Sequence, residues 1–180
     1  WSDTGECHDH SGVHRGSGRI YRISHGEPED PDLSDLERLD PDAVRRLLKH
    51  PNVWFERRLR NRLAQAPDGT AAVLGEMLAA ETDPVTRLRA LWALHALGKA
   101  GPELLRNLLG DGDERLRVWA IRLLTDRLPM DTLMGLRPVR EERPIAPEEL
   151  ERFIAMAKSD DSGLVRLALA STLQRLPHAR

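Results

Sequence analysis

Cysteine is almost absent from this chain. There is one among 180 residues, Cys7, so no disulfide can close within the sequence. The motif C-x-x-C-H does not occur, which excludes covalently attached haem in these residues. Aromatic residues amount to 4%, with one Tyr and two Phe, so the core must be built from aliphatic side chains. No apolar stretch approaches the roughly 18 residues needed to cross a bilayer, and no targeting peptide is visible. Lysine is scarce as well, with three against 24 arginines. An initiator Met is also missing. The opening Trp1-Ser-Asp-Thr-Gly-Glu-Cys-His-Asp-His has no helix start, so these residues are expected to be the tail of another domain.

The residues that are present divide unevenly. Four of the seven His, the sole Cys and the sole Tyr fall within the first 25 positions, whereas the remainder is Leu, Ala, Arg and acid in helical order. A hydrophobic share of 40% and a charged share of 31% fit a folded, water-facing segment, long enough for one domain or a repeat array. The net charge of −2 conceals a strong local imbalance. Residues 27–42 hold eight acids against Arg38 alone, interrupted by Pro28, Pro31 and Pro41. A like-charged, proline-rich run resists compaction, so residues 27–40 are expected to be a linker between residues 1–26 and a helical domain over 41–180.

Within 41–180 the start signals repeat. Asp40-Pro41, Asp83-Pro84 and Gly101-Pro102 place a capping residue before a proline at the first helical position, and Ala146-Pro147 supplies the proline alone. Between them apolar residues recur at three and four, as in Leu88, Leu91, Trp92 and Leu94, or Leu116, Trp119, Ala120, Leu123 and Leu124. This spacing predicts about eight helices in four hairpins: 41–49 with 53–66, 70–81 with 84–98, 102–109 with 113–128, and 147–158 with 162–176. The second helices align on Asp83 and Arg87, Asp113 and Arg117, Asp161 and Arg166. A two-helix unit of this length predicts an all-α fold, a right-handed α-solenoid in which stacked hairpins share the core. The Asp, Arg, Ala and Leu grammar resembles HEAT repeats, which implies a docking surface rather than a reaction.

Residues 17–23, Ser-Gly-Arg-Ile-Tyr-Arg-Ile, alternate as a short β-strand or hairpin would. Together with the preceding Asp3-Thr-Gly-Glu-Cys-His-Asp-His-Ser-Gly-Val-His-Arg-Gly, they resemble the closing strand of the β-propeller in the multidomain membrane-bound dehydrogenases of planctomycete and verrucomicrobial bacteria. That family combines a quinoprotein-like sugar dehydrogenase propeller, HEAT-like repeats and a c-type cytochrome. The resemblance covers essentially the whole chain as propeller remnant, linker and repeats. It implies a parent oxidoreductase of sugars or alcohols with pyrroloquinoline quinone (PQQ), calcium and haem c, periplasmic or otherwise exported. Most of the propeller and the haem domain lie outside these residues, so this segment is expected to be non-catalytic and to hold no cofactor.

Three readings stay open for the amino-terminal cluster. The first is a polar propeller loop. The second is a metal site of His8, His10 and His14 with Asp9, and with Glu6 or Cys7 near, a donor set suited to zinc or copper. The third is contact with an anionic cofactor or substrate through Arg15 or Arg19. Cys7 as a nucleophile is the weakest reading of all. Arginines crowd the second helices, but acids interleave with them, so an ion-paired scaffold is expected and nucleic acid is not the expected partner. Trp54, Trp92 and Trp119 are expected to fill the core, His95 to be a satisfied buried or inter-repeat residue, and Glu148-Glu149 to be solvated. The partners anticipated are adjacent domains of the same polypeptide or another protein. The competing functions are a free-standing HEAT-repeat module for protein binding and a small His-rich metal-binding segment.

Overall fold

The computed structural model describes residues 2–3, 19–21, 23, 25–27, 30–128 and 145–176. Two compact units divide the chain, Trp1–Leu33 and Ser34–Arg180. In the first unit, β1 (Ser2–Asp3) pairs antiparallel with β2 (Arg19–Ile20), Ser2 opposite Ile20. A ladder of two residues per strand is too short to show a propeller strand.

The second unit is helical throughout its described residues. Its helices are α1 (Ser34–Arg38), α2 (Pro41–Lys49), α3 (Val53–Arg62), α4 (Thr70–Ala80), α5 (Pro84–Ala96), α6 (Pro102–Leu108), α7 (Glu114–Thr125), α8 (Pro147–Ser159) and α9 (Gly163–Thr172). Short 3₁₀ turns extend α3 and α9. The prolines at 41, 84, 102 and 147 each open a helix, where a missing N–H costs nothing. Side-chain caps complete two of these starts. Asp40 accepts from the Ala43 N–H at 2.7 Å, and Asp83 accepts from the Val85 and Thr86 N–H groups. At the far end of α5, Gly98 takes a left-handed φ of 67°. This turn lets the N–H groups of Lys99 and Gly98 close on the carbonyls of Leu94 and His95.

One helix falls inside the stretch expected to be a linker. α1 forms because Leu36 and Leu39 are buried, and Asp35 is held by Arg38 and Arg46. Burial of Leu39 is strong enough to hold a non-glycine residue at a φ of 53°. The helical unit therefore starts at Ser34, and Asp35 of α1 is paired with Arg46 of α2.

Packing follows chain order. α2 lies against α3, α4 against α5, α6 against α7, and α8 against α9; the second helices then meet in sequence, α3 with α5, α5 with α7, and α7 with α9. One continuous apolar cluster runs from Leu36 to Leu169 through all of these contacts, and its members are chiefly Leu, Ala, Val and Ile. The scarcity of aromatics is thus met by aliphatic side chains spaced at helical period.

Candidate docking surface

Ion pairs join successive hairpins at one repeated place. Two residues before the cap of each second helix stand His50, Glu81, Asp111 and Asp160, the caps being Asn52, Asp83, Asp113 and Ser162. Lys49, at the end of α2 in the first hairpin, contacts Glu81 of the second. Arg87 of the second grips Asp111 of the third through two bonds of 2.6 and 3.1 Å. Arg117 of the third grips Asp160 of the fourth through two bonds of 2.9 Å. Both arginines lie four residues beyond their caps. A planar guanidinium meeting a carboxylate in this two-point manner fixes orientation as well as distance.

The aligned aspartates of the sequence thus divide into two kinds. Asp83 and Asp113 cap helices, while the acids of the inter-hairpin pairs, Asp111 and Asp160, sit two residues ahead of the caps. Asp161 is exposed, and the cap of α9 is Ser162.

These contacts set the titration of the unit. Arg46 holds the Asp35 carboxyl down at about 2, with partial burial opposing and Arg38 assisting. The Asp83 carboxyl is lowered by the Thr86 hydroxyl and N–H, and Asp160 by Arg117. At Asp111 burial pushes upward, but the bonds from Arg87 and the Asp113 N–H outweigh it, so the net direction is again down. A carboxylate depressed in the folded state contributes stability above its unfolded pKa of about 3.9 and loses it as pH falls through the folded value. The urea midpoint is therefore expected to hold from pH 7 to about 5 and to fall below about 4. Asp35→Asn is expected to flatten that fall between about 4 and about 2. An unchanged slope in that variant would remove Asp35 from the account.

The second helices share an open groove. One part, about 910 Å³, lies over α3, α5 and α7, and a second, about 450 Å³, continues over α7 and α9; His95, Trp119 and Leu123 belong to both. Its floor is a pair of touching indoles with a cation at each end. Arg60 lies 5.4 Å from the Trp92 ring, Trp92 meets Trp119 edge to face at 4.9 Å, and Arg122 lies 5.3 Å from the Trp119 ring. On α3, Arg58 covers Trp54 at 5.1 Å. Beneath the row, buried Glu56 faces Arg60 at 2.7 Å, too poorly angled for a hydrogen bond at that atom pair, so the contact is ionic. The buried Trp92 Nε1 has no hydrogen-bond partner. Arg57, Arg58 and Arg122 are exposed and have no acidic partner among the described residues.

Trp54, Trp92, Trp119 and Glu149 differ from their expected surroundings, and His95 takes the inter-repeat one of its two expected places. His95 is exposed at the junction of the two groove sections, because α5 turns it away from the Ala and Leu face. Trp54 is 40% exposed, and Trp92 and Trp119 are half-buried groove walls, packed against the core on one side only. Glu149 is 2% exposed, whereas its neighbour Glu148 is exposed. Glu149 accepts from Arg106 at 3.1 Å and from the Ala146 N–H at 3.4 Å, so it closes the start of α8.

His8, Asp9, His10, His14 and Arg15 lie outside the described residues, as do Glu6 and Cys7; Arg19 falls in β2. Among the described residues no three His, Cys, Asp or Glu come together as metal ligands, and no helix is long and apolar enough to cross a membrane. Comparison with protein-family models, with curated proteins and with solved structures finds no match to this chain.

Proposed function

We propose that this chain is a non-catalytic scaffold: an α-solenoid of four HEAT-like hairpins that presents its second-helix groove for docking. The observation carrying the reading is the repeated pairing of a base on one hairpin with the acid two residues before the next cap. Such a rung holds each unit to its neighbour at a set angle, as a spacer requires. The groove supports docking of an acidic protein segment, since Arg57 and Arg122 in it and Arg58 beside it pair with no acid among the described residues, and Trp92 and Trp119 bring rigid apolar area.

A 20-residue Glu-rich peptide with two aromatic residues is the probe. It is expected to quench or shift tryptophan fluorescence on titration, and the triple variant Arg57→Gln, Arg58→Gln, Arg122→Gln to weaken binding about tenfold or more at low salt. Equal binding by wild type and triple variant would contradict docking at this groove. Tighter binding of a mixed-sequence DNA duplex would reassign the partner class.

The resemblance of residues 3–23 extends the proposal to a parent protein. In that reading the scaffold spaces a PQQ- and calcium-dependent propeller from a haem c domain within an exported oxidoreductase, and its partners are those adjacent domains. Sequencing the coding region on either side tests it. Propeller blades upstream together with C-x-x-C-H downstream are the expected result; a flanking region without either would sink the parent reading and leave a free-standing module.

A further inference from the structure

The fourth hairpin carries an apolar face that no helix among the described residues covers. Counting from the caps of α5, α7 and α9, the fifth residue is Leu88, Val118 and Leu167, and the eleventh is Leu94, Leu124 and Leu173. At the fifth position the exposures are 8%, 8% and 62%, and at the eleventh they are 4%, 3% and 62%. Identical registers of apolar residues are therefore buried on α5 and α7 and open on α9. Beside them Leu150, Ile154 and Leu169 line a shallow apolar cavity of about 290 Å³ that also takes in Arg166.

Arg166 repeats the polar half of the pattern. Arg117 uses Nη1 to hold the carbonyl of Asp111, two residues before its own cap, at 2.9 Å, which leaves Nε and Nη2 for the acid of the next hairpin. Arg166 likewise uses Nη1 to hold the carbonyl of Asp160, again two residues before its own cap and again at 2.9 Å. Its Nε and Nη2 have no partner among the described residues. The guanidinium is thus set in place for a carboxylate that the neighbouring hairpin would bring.

We propose that the outer face of α9 is a binding site for a helical hairpin of a partner segment, with apolar side chains against Leu167 and Leu173 and a turn carboxylate on Arg166. This rests on the hairpin-stack reading. A second copy of this chain does not meet the requirement. The acids two residues before a cap, Glu81, Asp111 and Asp160, are already held by Lys49, Arg87 and Arg117, and the first hairpin has His50 at that position. The occupant therefore brings its own unpaired Asp or Glu, ahead of the cap of its second helix.

The test extends the full chain at its carboxyl end, through a flexible linker of about ten residues, with a second copy of residues 145–176 as the probe hairpin. The extension is expected to raise the Tm by about 4 °C or more and to slow amide exchange in α9 by about tenfold. Arg166→Gln, or Asn in place of the added copy's Asp160, is expected to lose part of that gain, and the two together no more than either alone. Leu167→Asp with Leu173→Asp, both on exposed positions, is expected to leave the unextended chain's Tm within about 1 °C and to abolish the gain. An extension that changes neither Tm nor α9 exchange would overturn the proposal; if exchange in the unextended chain is still graded hairpin by hairpin, the stack reading survives that failure. Concentration-dependent dimerisation of the unextended chain that the double Asp variant removes would overturn the assignment to a non-self partner.

Discussion

Leu116→Ala is expected to lower the unfolding free energy by about 3 kcal/mol. Leu116 is fully buried, three residues past the Asp113 cap, on the helix that meets α5, α6 and α9. Truncation removes apolar area from the place where three hairpins converge, and a rigid aliphatic environment relaxes only in part around the void. Urea denaturation followed by far-UV circular dichroism measures it. A loss below about 1 kcal/mol would mean that α7 does not join the second, third and fourth hairpins through a packed core.

Arg117→Gln is expected to cost about 2–3 kcal/mol, more than a surface ion pair and at the low end for a buried one. Arg117 and Asp160 are 16% and 8% exposed, so the deletion strands a carboxylate that water reaches poorly. One bond remains to that carboxylate, from the Ser162 N–H at 2.9 Å, which keeps the cost from rising further. The guanidinium also holds the carbonyls of Asp111 and Gly112, so its loss loosens the turn of its own hairpin. Adding Asp160→Asn to Arg117→Gln is expected to recover part of the loss, because the orphaned charge disappears. A double variant no more stable than Arg117→Gln would show that the pair contributes nothing beyond packing.

The helices were legible in the sequence to within a few residues because proline and capping residues punctuate them. Pro41, Pro84, Pro102 and Pro147 are each the first helical residue. α1 was not legible, since its charge pattern in isolation signals repulsion; only the tertiary contact of Asp35 with Arg46 reverses that sign. The arginine register from Arg87 through Arg117 to Arg166 was visible, but its acidic partners were not. Cap aspartates and rung aspartates differ by two positions, and local sequence favours the cap. The indole pair of the groove was not legible because Trp92 and Trp119 stand at different repeat positions, nine and six residues past their caps, and meet only when the helices pack side by side. Likewise Glu149 looks like a surface acid until Arg106, 43 residues away in sequence, folds over it.

A stack of hairpins that each contact only their neighbours unfolds differently from a globule with one shared centre. Native-state hydrogen exchange on wild type and Leu116→Ala distinguishes the two most directly. In such a stack the variant is expected to lose protection first in α6 and α7, then in α5 and α9, while α2 and α3 keep nearly all of theirs. Equal loss of protection across every helix from α1 to α9 would contradict the solenoid and, with it, the scaffold reading.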